Sequence, residues 1–79
     1  MMPRYFFHLY NDVVAEDEEG QELPELAAAR EYAVRNIRDL MTEEVMKGRL
    51  ILRHRIEIAD EHGKRVLTVP FSEAVTVEA

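Results

Sequence analysis

Cysteine is absent from this 79-residue chain, and glycine occurs only three times. Without cysteine there can be no disulfide, no thiolate nucleophile and no cysteine-ligated zinc. Three glycines build little backbone that can close around a ligand. Neither the phosphate-cradling GxxxxGK nor GxGxxG occurs, and HExxH and a glycine-framed nucleophile elbow are missing too. Ser72 is the only serine. No apolar run approaches the roughly 20 residues that a bilayer crossing needs. The start holds one arginine with no long apolar stretch behind it, so it does not read as a signal peptide, and the expected location is cytoplasmic.

Positive charge is also scarce. Lys and Arg number 10 against 16 Asp and Glu, a net charge of −6, which argues against a general nucleic-acid binder. The distribution is uneven. Residues 1–26 hold one basic against seven acidic side chains; residues 27–55 hold seven basic against four acidic. Residues 1–79 read as one domain. A chain this short buries only about 60% of the surface its unfolded form exposes, so a homodimer is expected to help hold it together.

What is present begins with RYFFHLY, a strand by its aromatic and apolar content. A period of two places Tyr5, Phe7 and Leu9 on a core face and Arg4, Phe6, His8 and Tyr10 on the other. His8 is one of three histidines, the others being His54 and His62 in separate elements, so no metal site assembles from them. Asn11-Asp12 signals a turn, and Val13-Val14-Ala15 a short returning strand. The following EDEEGQE reads as a solvated loop. It fails the EF-hand pattern, because with Gly20 at position 6 the first ligand position falls on Ala15. Glu16, Asp17, Glu18 and Glu19 are a possible docking loop for a basic partner.

LPELAAAREYAVRNIRDLMTEEVMKG predicts a long helix with proline in its first turn and Gly48 ending it. Its apolar stripe runs Leu26, Ala29, Ala33, Ile37, Leu40, Met41 and Val45, leaving Tyr32 and Met46 outside. Glu31–Arg35 and Glu43–Lys47 have the spacing of surface ion pairs. Glu44 falls at the end of the buried face.

LILRHRIEIADEHGKRVLTVPF predicts two antiparallel strands around a turn at Asp60–Gly63. Leu52, Ile56 and Ile58 point inward, with His54 at the edge of that face and Arg53 and Arg55 toward water. On the return strand Arg65, Leu67 and Val69 share one parity. Ser72 is placed to cap a helical turn, with Phe71 and Val75 folding back as a lid. The final TVEA is a frayed end or a short edge strand.

The opening MPRYFFHLYN, the stretch DEEGQELPELAAAREYA and the closing GKRVLTVPFSEAV resemble a family of very short bacterial proteins, frequent in rhizobia and their alphaproteobacterial relatives. That family is catalogued as a domain of unknown function. The resemblance covers nearly the whole chain and implies no activity, ligand or catalytic residue. In relatives the residue at Glu25 is commonly aspartate, a better helix cap, so this chain departs there.

The expected fold is α+β, a small antiparallel sheet of three or four strands packed by one long helix. The far sheet face would show Phe6, His8, Tyr10, Arg53 and Arg55. The expected function is non-enzymatic: homodimerisation or binding of another protein through that face. The alternative is a weak nucleic-acid-binding or regulatory module using the same face, with Lys47 and Arg49 adding charge. An enzyme at a subunit junction, with His8 or His54 meeting Glu57, ranks behind both. No cofactor, membrane contact or small-molecule substrate is expected, and so small a domain offers little room for a pocket.

Overall fold

The computed structural model describes residues 2–79. Five strands and one long helix follow in the order β1 (Arg4–Tyr10), β2 (Val14–Ala15), β3 (Gln21–Glu22), α1 (Leu26–Met46), β4 (Arg55–Ala59) and β5 (Arg65–Pro70). A 3-10 turn at Phe71–Glu73 follows β5. The sheet is antiparallel throughout in the order β2-β1-β4-β5, with β3 also pairing β1. This is the expected small α+β arrangement, its strand count raised to five by two strands of two residues each.

One side of the sheet carries the core. Register sets Phe7 opposite Ile58 and Leu9 opposite Ile56, and then Ile58 opposite Leu67 and Ile56 opposite Val69. The helix covers this side with Ala29, Ala33, Val34, Ile37 and Met41, and Phe71 and Ala74 close the end. Small alanines in the first half let the helix approach closely; Ile37 and Met41 fill the space further along. The stripe read from the sequence is corrected at its margins. Leu26 and Val45 are exposed, Val34 is buried, and Tyr32 is half-buried with its ring centroid 4.7 Å from that of Phe7. The helix buries most deeply in its middle, where the sheet lies beneath it.

The helix begins at Leu26, so Pro24 and Glu25 stand before it rather than in its first turn. Glu25 is the extended N-cap and makes no side-chain capping bond. Its carbonyl accepts the Ala29 N–H at 3.1 Å. The other end stops as expected. Gly48 has φ +83° and donates to the Val45 carbonyl, while the Arg49 N–H reaches the Glu44 carbonyl at 2.9 Å. These two bonds form the crossed pair of a glycine C-cap. The anticipated Glu31–Arg35 and Glu43–Lys47 ion pairs do not form among the described residues; Lys47 turns to Glu44 instead, at 3.8 Å.

Residues 49–54 bring the chain down from the helix layer to the sheet, so β4 starts at Arg55 and not at Leu50. The turn after β4 follows the sequence reading. Asp60 accepts N–H bonds from His62 and Lys64 at 2.9 Å, and Gly63 takes φ +79°. The Lys64 bond is the main reason that the Asp60 carboxyl sits below its ordinary range.

Two expectations fail in β5 and beyond. Ala59 pairs with Arg65 while Ile58 pairs with Leu67, which leaves Val66 as an extra residue in a β-bulge. The bulge turns both Val66 and Leu67 toward the core. Arg65 therefore leaves the parity of Leu67 and Val69 and joins the open side. Ser72 is no cap: it lies inside the 3-10 turn, whose N-cap is Pro70 and whose backbone starts with Phe71 donating to the His54 carbonyl at 2.9 Å. Phe71 is buried and Val75 packs beside the core, as the lid reading expected. Residues 75–79 form no strand.

Candidate interaction face

The side of the sheet away from the helix is assembled from alternate residues of three strands. β1 gives Phe6, His8 and Tyr10; β4 gives Arg55 and Glu57; β5 gives Arg65 and Thr68. His8 stands opposite Glu57, Tyr10 opposite Arg55, and Glu57 opposite Thr68. The sequence-predicted group of Phe6, His8, Tyr10 and Arg55 is thus brought together. Arg53 is not part of it. It lies before β4 and reaches Asp12 at the β1–β2 turn, 3.3 Å away.

Glu57 organises this face. Its carboxylate accepts from Arg55 Nε at 2.8 Å and from Arg65 Nε at 3.2 Å. Arg65 also donates to the Tyr10 hydroxyl at 3.3 Å, and the Arg55 guanidinium lies 4.3 Å above the Tyr10 ring. A flat guanidinium suits both contacts, donating in its plane while its face stacks on an aromatic ring. The bond from Arg55, helped by that from Arg65 and opposed by partial burial, holds the Glu57 carboxyl below its ordinary range. The Tyr10 bond, followed by Glu57, pushes Arg65 upward. Arg65 was missed, although the adjacent apolar Val66-Leu67 interrupts the alternation and is the signature of a bulge.

The acidic loop does more than face water. β2 and β3 each cover one end of the outer edge of β1, leaving a gap between them. Asp17 fills it by accepting the Phe7 N–H at 3.0 Å, so that an edge donor is satisfied. Its second oxygen accepts from Glu19 and Gly20, both at 3.1 Å. In return the Asp17 N–H donates to His8 Nδ1 at 3.1 Å. His8 therefore accepts at Nδ1, which puts its ring proton on Nε2. Burial would raise the Asp17 carboxyl, but the N–H groups of Phe7, Gly20 and Glu19 outweigh it and hold the group below its ordinary range.

Gly20 is required where it stands. Its φ is +70°, and a Cβ there would lie 2.8 Å from the Tyr5 carbonyl oxygen and 2.9 Å from both Arg4 Cγ and Phe6 Cε2. The loop thus lies against side chains of the open face and forms its border. Asp17 is turned into this seal, while Glu16, Glu18 and Glu19 are exposed and form no ion pair among the described residues. A signal for the seal was present in DEEG, since aspartate followed three residues later by glycine is a turn-forming pair.

The basic stretch after the helix is matched within the chain. Lys47 and Arg49 both meet Glu44, Arg53 meets Asp12, and Arg55 meets Glu57. His54 lies on the core side, edge-on to Phe71 with centroids 5.5 Å apart, whereas His8 belongs to the open side. The junction in which either histidine would serve Glu57 has only the His8–Glu57 juxtaposition behind it. Among the described residues no three or more His, Asp and Glu converge as metal ligands. No helix of the described residues is long and apolar enough to cross a membrane.

A helix on one side of an antiparallel sheet and an open, aromatic and charged face on the other define a small α+β domain of two layers. Residues 4–72 match the family model described as Domain of unknown function (DUF6894), and the chain belongs to that family. No curated protein and no solved structure matches the chain.

Proposed function

We propose that the chain is a non-enzymatic self-association domain whose open sheet face pairs with the same face of a second copy. The observation that carries this reading is the opposite charge of the two borders of the face. Glu16, Glu18 and Glu19 lie along the β1 border; Lys64 and Arg65 lie at the β5 border. A two-fold axis parallel to the strands lays each acidic border against the basic border of the other copy. The symmetry makes that contact twice. Between the borders stand Phe6, Tyr10 and Arg55, residue types enriched at protein interfaces. Glu57 holds Arg55 and Arg65 in place, so little side-chain freedom remains to be lost on pairing.

Light scattering over a range of concentrations tests this. Wild type is expected to reach twice the 9.2 kDa chain mass. Phe6→Ser with Tyr10→Ser should return it to the single-chain mass while the helical circular dichroism persists. Lys64→Glu with Arg65→Glu should weaken the dimer roughly tenfold, about 1.4 kcal/mol, and Glu18→Lys with Glu19→Lys in the same chain should restore it. A wild-type chain that stays at the single mass into the millimolar range, about the weakest association worth assigning, overturns the reading.

A further inference from the structure

We infer that the hollow beside the C-terminal end of the helix binds a small organic cation, a primary amine carrying a short apolar arm. This inference is independent of the pairing face, which lies on the opposite side of the sheet. The sequence offered no reason to expect a pocket here. The structure makes one of about 260 Å³ where the last helical turns, the β1–β2 turn and the descending segment 49–54 meet. Ligand pockets generally run from about 300 Å³ upward, so this one suits a compact molecule.

The lining divides into two kinds. Leu40, Met41, Ile51 and Phe71 provide apolar wall. Asp12, Glu43 and Glu44 provide three carboxylates, Asp12 already met by Arg53 and Glu44 by Lys47 and Arg49. Arg49 is already committed, with Glu44 2.7 Å away. Glu43 forms no ion pair among the described residues. The hollow also lies near the negative end of the helix dipole. Glu43 and that helix end are what favour a cation here.

His54 gives the independent sign of a missing partner. Its Nε2 has no contact with solvent and no hydrogen bond. The nearest carboxylate oxygen, Asp12 Oδ1, is 3.6 Å away and beyond good bonding range. A buried ring nitrogen left without a partner is costly, and a ligand that supplies one recovers that cost. An ammonium has three donors and no acceptor. Set between these groups, it can donate to a neutral His54 Nε2, to Asp12 and to Glu43, with its alkyl arm on Leu40 and Ile51. Asp12 must swing aside to admit it. Asp12 is free to do so, because its side chain is 79% exposed and tied at the surface to Arg53.

The probes are n-hexylamine and, with the same arm and opposite charge, sodium hexanoate, each titrated into the full chain and followed by amide and imidazole NMR. The amine is expected to give saturable shifts confined to residues 40–44 and 49–54 and to the His54 ring, and hexanoate none. Asp12→Asn and Glu43→Gln should each weaken amine binding about fivefold, as loss of one exposed charge partner does. Glu61→Gln, an acidic side chain elsewhere, should leave it unchanged. Ile51→Trp, which fills the hollow, should abolish it. Shifts that never saturate, an equal response to hexanoate, or equal weakening by Glu61→Gln would each overturn the assignment.

Discussion

On the helix side of the sheet, Ile58 and Val69 have no exposed surface and Ile56 keeps only 3% of its own. On the other side Phe6, His8, Tyr10, Arg55 and Glu57 all remain partly in water. Both sides are drawn from the same strands, residue by alternate residue, yet different forces hold them. The covered side gains from burial, about 1.5–3 kcal/mol for each large apolar side chain. The open side relies on exposed ion pairs worth about 0–1 kcal/mol each. An arrangement as specific as Arg55, Glu57, Arg65 and Tyr10 therefore adds little to folding. What it supplies is a fixed pattern of charge and aromatic surface. The difference teaches that stability comes from the covered side, while the open side holds charged and aromatic groups in a fixed pattern that adds little to folding, the pattern on which the proposed pairing rests.

The comparison breaks if the covered side proves dispensable. Ile58→Ala is expected to cost about 2–5 kcal/mol, read as a lowered midpoint in urea denaturation, because it leaves a cavity against the helix. A loss under about 1 kcal/mol would move the source of stability elsewhere.

The edge seal should come next. Asp17→Asn is expected to cost about 1–3 kcal/mol, since it weakens three bonds from backbone N–H groups to a charged acceptor. The wild-type dependence on pH follows from the depressed Asp17 carboxyl. Its folded pKa lies below its unfolded one, so its contribution is complete above about pH 4 and is lost as pH falls through the folded value. Denaturation of both chains between neutral and acid pH should show a shallower fall for the variant. Identical slopes would remove Asp17 as the group responsible.

The smallest effect belongs to the open side. Arg65→Ala, in dilute solution where no dimer is populated, should change stability by less than about 1 kcal/mol. A loss comparable to that of Ile58→Ala would erase the division between the two sides.

Much of this fold was legible. The alternation in RYFFHLY gave both faces of β1, the three-and-four spacing gave the buried centre of the helix, and Gly48 and Asp60–Gly63 gave their turns. Of the candidate face, Phe6, His8, Tyr10 and Arg55 followed from parity alone. Arg53 was misplaced because strand propensity continues upstream of Arg55, while the chain is still descending from the helix layer. Arg65 was missed because one bulged residue reverses parity for everything before it. Tyr32 was read as outside the packed stripe because a helical wheel does not say how far across a sheet the helix lies. His54 was correctly placed near the core, but its unpartnered nitrogen depends on where Asp12 comes to rest.

The sequence by itself determined the long helix, the strands around RYFFHLY, RIEIA and RVLTVP, where the glycine-dependent turns fall, and that no thiol is present. Those properties come from side-chain periodicity and local backbone preference, which act within a few residues. Only the tertiary structure decided that β1 lies between β4 and the β2–β3 edge, that Asp17 closes the gap in that edge, that Val66 bulges and turns Arg65 outward, and that a hollow opens beside His54. These depend on register and packing between segments far apart in the chain, where a shift of one residue exchanges the two faces of a strand.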